Sequence, residues 1–199
     1  MTDYKKCKQA ANQLLLMQDE LPPNINLHHL THDKTITITS FIDYCRTIHA
    51  NTGKFFKEFH RGINIYDSQN DIYIILFSDA IKDYRSIRWL IAHEIGHIYL
   101  NHHSEHSAND EAEANYFARQ LLTPSISLLK IITDYGVRNP EALAAIFEVP
   151  ISAINYHLKA IKKMNGIYVD STDKIIWEKQ EEHVLERIRY ADSFYSLSV

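Results

Sequence analysis

A five-residue motif, H-E-I-G-H at positions 93–97, constrains this chain more than any other feature. It lies inside an apolar pattern of helical period over residues 86–103. Side chains four positions apart project from one face of an α-helix with about 5 to 6 Å between their Cβ atoms, so His93 and His97 can bind one ion. Glu94 is rotated by about 100° from His93 and lies beside the ligands without displacing either. The motif therefore predicts a zinc site at which Glu94 reaches a water molecule.

A catalytic zinc site takes a third protein ligand, and a second predicted helix supplies candidates. This helix spans residues 109–122, and its segment E-A-E-A-N begins fourteen positions after the second histidine of the motif. Glu111 and Asn115 are four positions apart and share one face, which makes Glu111 the candidate ligand and Asn115 a candidate hydrogen-bond partner of a ligand. Glu113 is rotated by about 200° from Glu111, so we expect a solvated surface carboxylate there.

Other residues near the motif have two interpretations. Gly96 either leaves room for the close approach of a neighbouring backbone or is tolerated at a cost of about 1 kcal/mol. His102, His103 and His106 are rival ligands, but they lie at the end of the helix or in the following loop. Solvated histidines are common in such places, and solvent exposure is our expectation for all three.

The remaining pattern predicts a mostly helical α+β protein with one small sheet. Apolar and polar residues alternate near Ile63 and Ile65, turn residues follow at 67–70, and an apolar run covers Ile72–Phe77. These features predict a β-hairpin packed beside the motif helix. Further helices are predicted at residues 4–18, 40–50, 140–147, 151–163 and 172–193.

Composition argues against several classes of function. The chain has 21 basic and 25 acidic residues and so a net charge of −4. It therefore lacks the excess of basic residues that is expected of a protein that binds nucleic acid. Its longest strongly apolar run is far shorter than the roughly 20 residues that cross a bilayer, and its first residues show no signal-peptide pattern. We therefore expect a cytoplasmic protein without a membrane partner. Cys7 and Cys45 fit neither metal nor redox spacing, and unpaired thiols are expected.

Two longer segments surround the candidate ligands. Residues 88–100 read R-W-L-I-A-H-E-I-G-H-I-Y-L, and residues 111–124 read E-A-E-A-N-Y-F-A-R-Q-L-L-T-P. In this order they resemble the ImmA/IrrE family of zinc metallopeptidases, over about residues 5–165, although Thr123 stands where the family has an apolar residue. The resemblance implies a zincin-like core and a cytosolic endopeptidase of the gluzincin kind. It also implies a protein substrate, a helix-turn-helix repressor encoded nearby or an antitoxin-like regulator.

By the same resemblance, zinc is bound by His93, His97 and Glu111, Glu94 is the general base, and Asn115 has an orienting role. Zinc lowers the pKa of a bound water from about 15.7 towards 7, and Glu94 then takes the proton. A donor to the developing oxyanion is also needed, and spacing does not select among the candidates. These candidates are Tyr99, Tyr116 and His157.

The predicted organisation has three parts. Residues 1–135 form a zincin-like metallopeptidase domain, residues 136–165 a helix-turn-helix-like segment, and residues 166–199 a C-terminal amphipathic helix or tail. An extended peptide substrate can add to a sheet edge, and the strand Ile72–Phe77 is the candidate unless it is buried without an open edge.

Two alternative functions stay open at this point. One is a DNA-binding regulator that uses the helix pair at residues 140–163, although direct nucleic-acid binding is not expected. Arg138 precedes the pair and its lysines lie at the far end, whereas recognition helices read bases from their amino-terminal part. The other is a catalytically silent metal-binding protein that sequesters a repressor. The presence of Glu94 argues against it.

Overall fold

A computed structural model describes residues 2–51, 53, 61–102, 107–163 and 169–195. Within these ranges it contains eight α-helices, one short 3-10 turn and three β-strands, which confirms the predicted mostly helical α+β class. The helices are α1 (Tyr4–Leu16), α2 (Phe41–Thr47), α3 (Tyr84–Leu100), α4 (Ala108–Leu122), α5 (Ser125–Asp134), α6 (Pro140–Phe147), α7 (Ile151–Lys163) and α8 (Ser171–Tyr195). The strands are β1 (Ile36–Ser40), β2 (Gly62–Asp67) and β3 (Ile72–Phe77).

The chain divides into two compact units. The first comprises Met1–Ala10 and Asn26–Ala118, and the second comprises Ala11–Ile25 and Arg119–Val199. This division groups residues by their mutual contacts. The functional boundaries after residues 135 and 165 stay a prediction.

The sheet belongs to the first unit, and its strand order is β1-β3-β2. Strands β2 and β3 are antiparallel and form the predicted hairpin, while β1 pairs with β3 in parallel. The expectation that β3 offers an edge to substrate is therefore wrong, because β3 is the central strand and is paired on both sides. Strand β1 was not predicted, because it has only five residues, which read I-T-I-T-S.

Helix α3 carries the motif and has a well-defined beginning and end. The Asp83 carboxylate accepts hydrogen bonds from the backbone N–H groups of Arg85 and Ser86, at 3.2 and 3.1 Å, and so caps the first turn. Asn101 ends the helix in the left-handed region with φ 57°, a conformation that asparagine tolerates well. Between these caps the helix packs against β2 and β3.

Among its described residues, the second unit contains helices and no strands. Helix α5, for which the sequence analysis made no prediction, buries Ile126, Leu128 and Ile131 and packs against α8. Helix α6 packs against both α7 and α8. The missed helix begins immediately after Pro124, a residue that marks the end of α4 and also serves as the N-cap position of α5.

His157 is a core residue of this second unit. Its side chain is 1% exposed, and its ring nitrogens lie 3.2 Å from the Thr123 hydroxyl and 3.0 Å from the Ser125 hydroxyl. Burial, assisted by the charge of Arg119, lowers its pKa to about 3. Because both ring nitrogens already have hydroxyl partners, we discard His157 as a candidate oxyanion donor.

Both cysteines are buried and unpaired, as predicted. Burial raises the pKa of the Cys7 thiol to about 12, which keeps it protonated and unreactive. None of the helices in the described ranges combines the length and the apolar character that a membrane span requires.

The burial of neutral His157 predicts a loss of stability in acid. Its pKa is about 3 in the folded protein and about 6.5 when unfolded, so between these values the unfolded chain binds one more proton. The free energy of unfolding should therefore fall by about 2 kcal/mol from about pH 7 to about pH 5, on top of all other titrations. Urea unfolding of the unaltered protein and of His157→Gln at both values measures this contribution. An equal fall in both proteins would contradict it.

Candidate metal centre

Helices α3 and α4 bring the three predicted ligands together in the first unit. Nε2 of His93 lies 3.0 Å from Nε2 of His97. The Glu111 carboxylate lies 3.3 Å from Nε2 of His93 through Oε2 and 3.6 Å from Nε2 of His97 through Oε1. Ligand atoms bound at about 2.0 to 2.1 Å to a tetrahedral zinc lie about 3.3 Å from one another. The observed separations are close to this value, although Glu111 meets each imidazole through a different carboxylate oxygen, so the three side chains can supply three protein ligands to one zinc ion.

The burial of these side chains leaves one side of the cluster open. The His97 side chain is 1% exposed and that of His93 is 13% exposed, whereas that of Glu111 is 48% exposed. Solvent therefore reaches the cluster from the side of the carboxylate. A catalytic zinc needs such an opening, because its fourth position takes water or substrate.

Gly96 permits the close approach of the two helices. A Cβ atom at this position would lie 3.2 Å from both Cα and the carbonyl oxygen of Ala114 and 3.1 Å from the Phe117 ring. Two of these three neighbours are backbone atoms that cannot rotate away. Of the two interpretations of Gly96, the one that requires close backbone approach is therefore correct.

A hydrogen bond to Asn115 fixes the orientation of His93. Nδ1 of His93 lies 3.2 Å from Oδ1 of Asn115. An amide oxygen only accepts, so this contact is a hydrogen bond in the tautomer that carries its proton on Nδ1 and leaves the lone pair of the ring on Nε2. Glu111 and Asn115 lie on one face of α4 and contact the two nitrogens of His93, Glu111 at Nε2 and Asn115 at Nδ1.

Glu94 lies beside the cluster and is 6% exposed. Nδ2 of Asn64, on β2, donates a hydrogen bond of 2.6 Å to its Oε2. Burial raises the pKa of Glu94 to about 7, with a smaller upward contribution from the charge of Glu111, while the hydrogen bonds from Asn64 lower it. A carboxylate in this range both accepts and returns a proton near neutral pH. The sequence does not indicate a role for Asn64, since no local pattern links it to a residue 30 positions away.

His102 is not the solvated histidine that we expected. Its side chain is 6% exposed, and its Nδ1 lies 3.0 Å from Nδ1 of His97. The left-handed conformation of Asn101 turns the chain back, so that the backbone N–H of His102 donates to the carbonyl of His97 at 3.0 Å. An asparagine at the end of a predicted helix is the signal that would have indicated this turn. His103 and His106 lie outside the described residues.

Glu113 is not a solvated surface carboxylate either, because its side chain is only 12% exposed. Its Oε2 lies 3.3 Å from Nε2 of His102, and its Oε1 accepts a hydrogen bond of 2.7 Å from the backbone N–H of Asp3. As predicted, it does not face the same way as Glu111. It belongs to a second group of ligand atoms, with His102 and Asp110, that lie within 4.8 Å of one another.

Two tyrosines were candidate donors to an oxyanion. The Tyr99 hydroxyl donates to the Asp33 carboxylate at 2.8 Å, and burial together with this bond raises its pKa. Its proton is therefore committed to Asp33. The Tyr116 ring stacks on Tyr4 with 4.9 Å between centroids, and its role as a donor stays a prediction.

Comparison with known families gives one match. The model of the IrrE N-terminal-like domain, family Peptidase_M78, matches residues 48–159, which is more than half of the chain. The chain belongs to this family. Membership in Peptidase_M78 confirms the predicted ImmA/IrrE relationship and gives the chain a metallopeptidase-type function, and the matched region contains both α3 and α4. No curated protein shows significant similarity to the chain.

The contact at Gly96 predicts that one added methyl group separates the two helices. We expect Gly96→Ala to lower the free energy of unfolding by about 1 to 3 kcal/mol, because the backbone of Ala114 must move, and to weaken metal binding through the displaced Glu111. Thermal unfolding and zinc titration measure both effects. Gly53→Ala is the matched control, since a Cβ there meets, among the residues that the structure describes, only the Asn51 side chain. Unchanged zinc affinity in Gly96→Ala would contradict the role of this contact.

Proposed function

We propose that the chain is a zinc-dependent endopeptidase. The observation that carries this proposal is the convergence of His93, His97 and Glu111, with Glu94 buried beside them. Two imidazoles and one carboxylate are a common ligand set of catalytic zinc sites, whereas structural zinc sites take four protein ligands and are rich in cysteine. Neither cysteine belongs to the cluster, and its Glu111 side is exposed to solvent.

The residues of the chain have separate roles in this mechanism. His93, His97 and Glu111 would hold the ion, and zinc, when bound, polarises the scissile carbonyl and acidifies a water molecule. Glu94 accepts the proton of the attacking water and returns it to the leaving amine. Asn64 orients the Glu94 carboxylate through its 2.6 Å hydrogen bond. Asn115 keeps the proton of His93 on Nδ1 and so leaves Nε2 to the metal.

The peptide substrate would add to β2 rather than to β3. Among the described residues β2 pairs with β3 alone, so its other edge offers backbone N–H and C=O groups. The same strand carries Asn64, whose side chain contacts Glu94. An extended peptide on this edge would run past the general base.

For the substrate we propose a helix-turn-helix repressor or an antitoxin-like regulator encoded near this chain. The support for this choice is the resemblance of residues 88–100 and 111–124 to the ImmA/IrrE peptidases. Direct DNA binding by α6 and α7 has less support, because α7 carries no basic residue before Lys159. The repressor-sequestering alternative gives no reason for a buried carboxylate beside a metal ligand.

Substitution of the general base separates catalysis from sequestration. We expect Glu94→Gln to keep its zinc and to cleave the co-expressed repressor about 10²- to 10⁴-fold more slowly, because the amide cannot accept the proton. Fragments on denaturing gels and zinc content by elemental analysis give the two readouts. Glu111→Gln is the control that should lose zinc. If Glu94→Gln relieves repression as well as the unaltered protein and neither yields fragments, the chain sequesters its target and the proposal fails.

A further inference from the structure

A chain of hydrogen-bonding groups begins on the side of His97 that faces away from the candidate metal centre. Nδ1 of His97 lies 3.0 Å from Nδ1 of His102, and Nε2 of His102 lies 3.3 Å from Oε2 of Glu113. The other oxygen of Glu113 accepts the backbone N–H of Asp3 at 2.7 Å. All the residues of this hydrogen-bonded series belong to the first unit.

The proton positions along this hydrogen-bonded series follow from the metal-binding Nε2 of His97 at one end and the accepting carboxylate of Glu113 at the other. A neutral imidazole carries one N–H, and His97 must leave Nε2 unprotonated if Nε2 is to bind a metal, so its proton is on Nδ1. Nδ1 of His102 must then accept, which places the proton of His102 on Nε2. That N–H faces the Glu113 carboxylate, which accepts it. All the donors and acceptors along the chain are then matched.

We infer that His102 and Glu113 are positioning residues that hold His97 in the tautomer whose Nε2 binds the metal. The inference rests on the proposed metal site, but not on peptide cleavage. Partners of this kind orient metal-binding imidazoles and raise their basicity. In this protein the Glu113 carboxylate does not contact His97 directly but acts through the imidazole of His102.

The same geometry argues against a second metal ion at His102, Asp110 and Glu113. An ion there would need the lone pair of His102 on Nε2, so its proton would be on Nδ1 and would face Nδ1 of His97. His97 would then carry its own proton on Nε2 and could not bind the first ion. We therefore expect one zinc ion per chain.

A matched pair of substitutions at His102 tests the inference. His102→Asn keeps an acceptor oxygen near the position of Nδ1. Leucine has nearly the shape of asparagine but no acceptor, so His102→Leu removes only the hydrogen bond that His102→Asn keeps. In competition with a chelator, we expect zinc binding to weaken about 10- to 100-fold in His102→Leu and to stay close to that of the unaltered protein in His102→Asn. Equal zinc affinity in His102→Leu and the unaltered protein would overturn the inference. So would two zinc ions per chain that fall to one in His102→Leu.

The tautomer itself is measured by nitrogen NMR on the metal-free protein in alkaline buffer, where imidazoles are neutral. We expect the proton of His97 on Nδ1 in the unaltered protein and a mixture of tautomers in His102→Leu. A proton on Nε2 in the unaltered protein would overturn the inference whether or not zinc binds or peptides are cleaved. Tight zinc binding that depends on His102 but comes without repressor fragments would instead refute only the proposed function.

If His102→Leu does not fold, Glu113→Leu removes the acceptor one step further from the metal. We expect the same loss of zinc affinity in smaller measure, with Glu113→Gln closer to the unaltered protein because its amide oxygen still accepts. Thermal unfolding of each variant shows that it is folded before zinc is titrated. Zinc affinities of Glu113→Leu and Glu113→Gln that both equal that of the unaltered protein would overturn the inference.

Discussion

The close contact between the backbones of α3 and α4 at Gly96 and Ala114 is the constraint on which the candidate metal centre depends. The two imidazoles come from consecutive turns of one helix, but the carboxylate comes from the other. Glu111 lies three positions before Ala114 on the same face of α4, so its reach to the imidazoles is set by how closely the helices approach. Gly96 therefore allows the two helices to approach each other, a role that differs from the metal binding proposed for His93 and His97.

Around this contact, three polar side chains at the centre each have a partner that fixes their orientation. Asn115 contacts His93, His102 contacts His97, and Asn64 contacts Glu94. Buried polar groups without partners are costly, and a site whose groups are already oriented needs little reorganisation when it acts. The lone pairs of the imidazoles and the Glu111 carboxylate then converge on one point, an arrangement that a cation stabilises. The Glu111 side of the cluster is exposed to solvent.

The sequence predicted the parts of this site that depend on a period within one helix. Spacing of four residues related His93 to His97 and Glu111 to Asn115, and apolar periodicity located α3 and α4 close to their observed limits. It did not predict partners that tertiary contacts select. Asn64 meets Glu94 only because β2 packs against α3, and His102 meets His97 only because Asn101 adopts a left-handed conformation.

The missed elements have equally local causes. Strand β1 shows alternation over only five residues, and α5 begins directly after a proline that sequence reasoning takes as a stop. Without β1, the strand β3 could be mistaken for an edge. The misplaced substrate edge thus followed from one short strand.

X-ray absorption at the zinc edge of the loaded protein is the sharpest test of this metal centre, because it reports the atoms that surround the ion. We expect two imidazole nitrogens and two oxygen donors, one of them from Glu111, at about 2.0 to 2.1 Å from zinc. Glu111→Ala should bind no zinc and give no zinc-edge signal, because two imidazoles are fewer ligands than a catalytic zinc site requires. A third imidazole, a sulfur donor or a shell without imidazole would contradict a centre built from His93, His97 and Glu111.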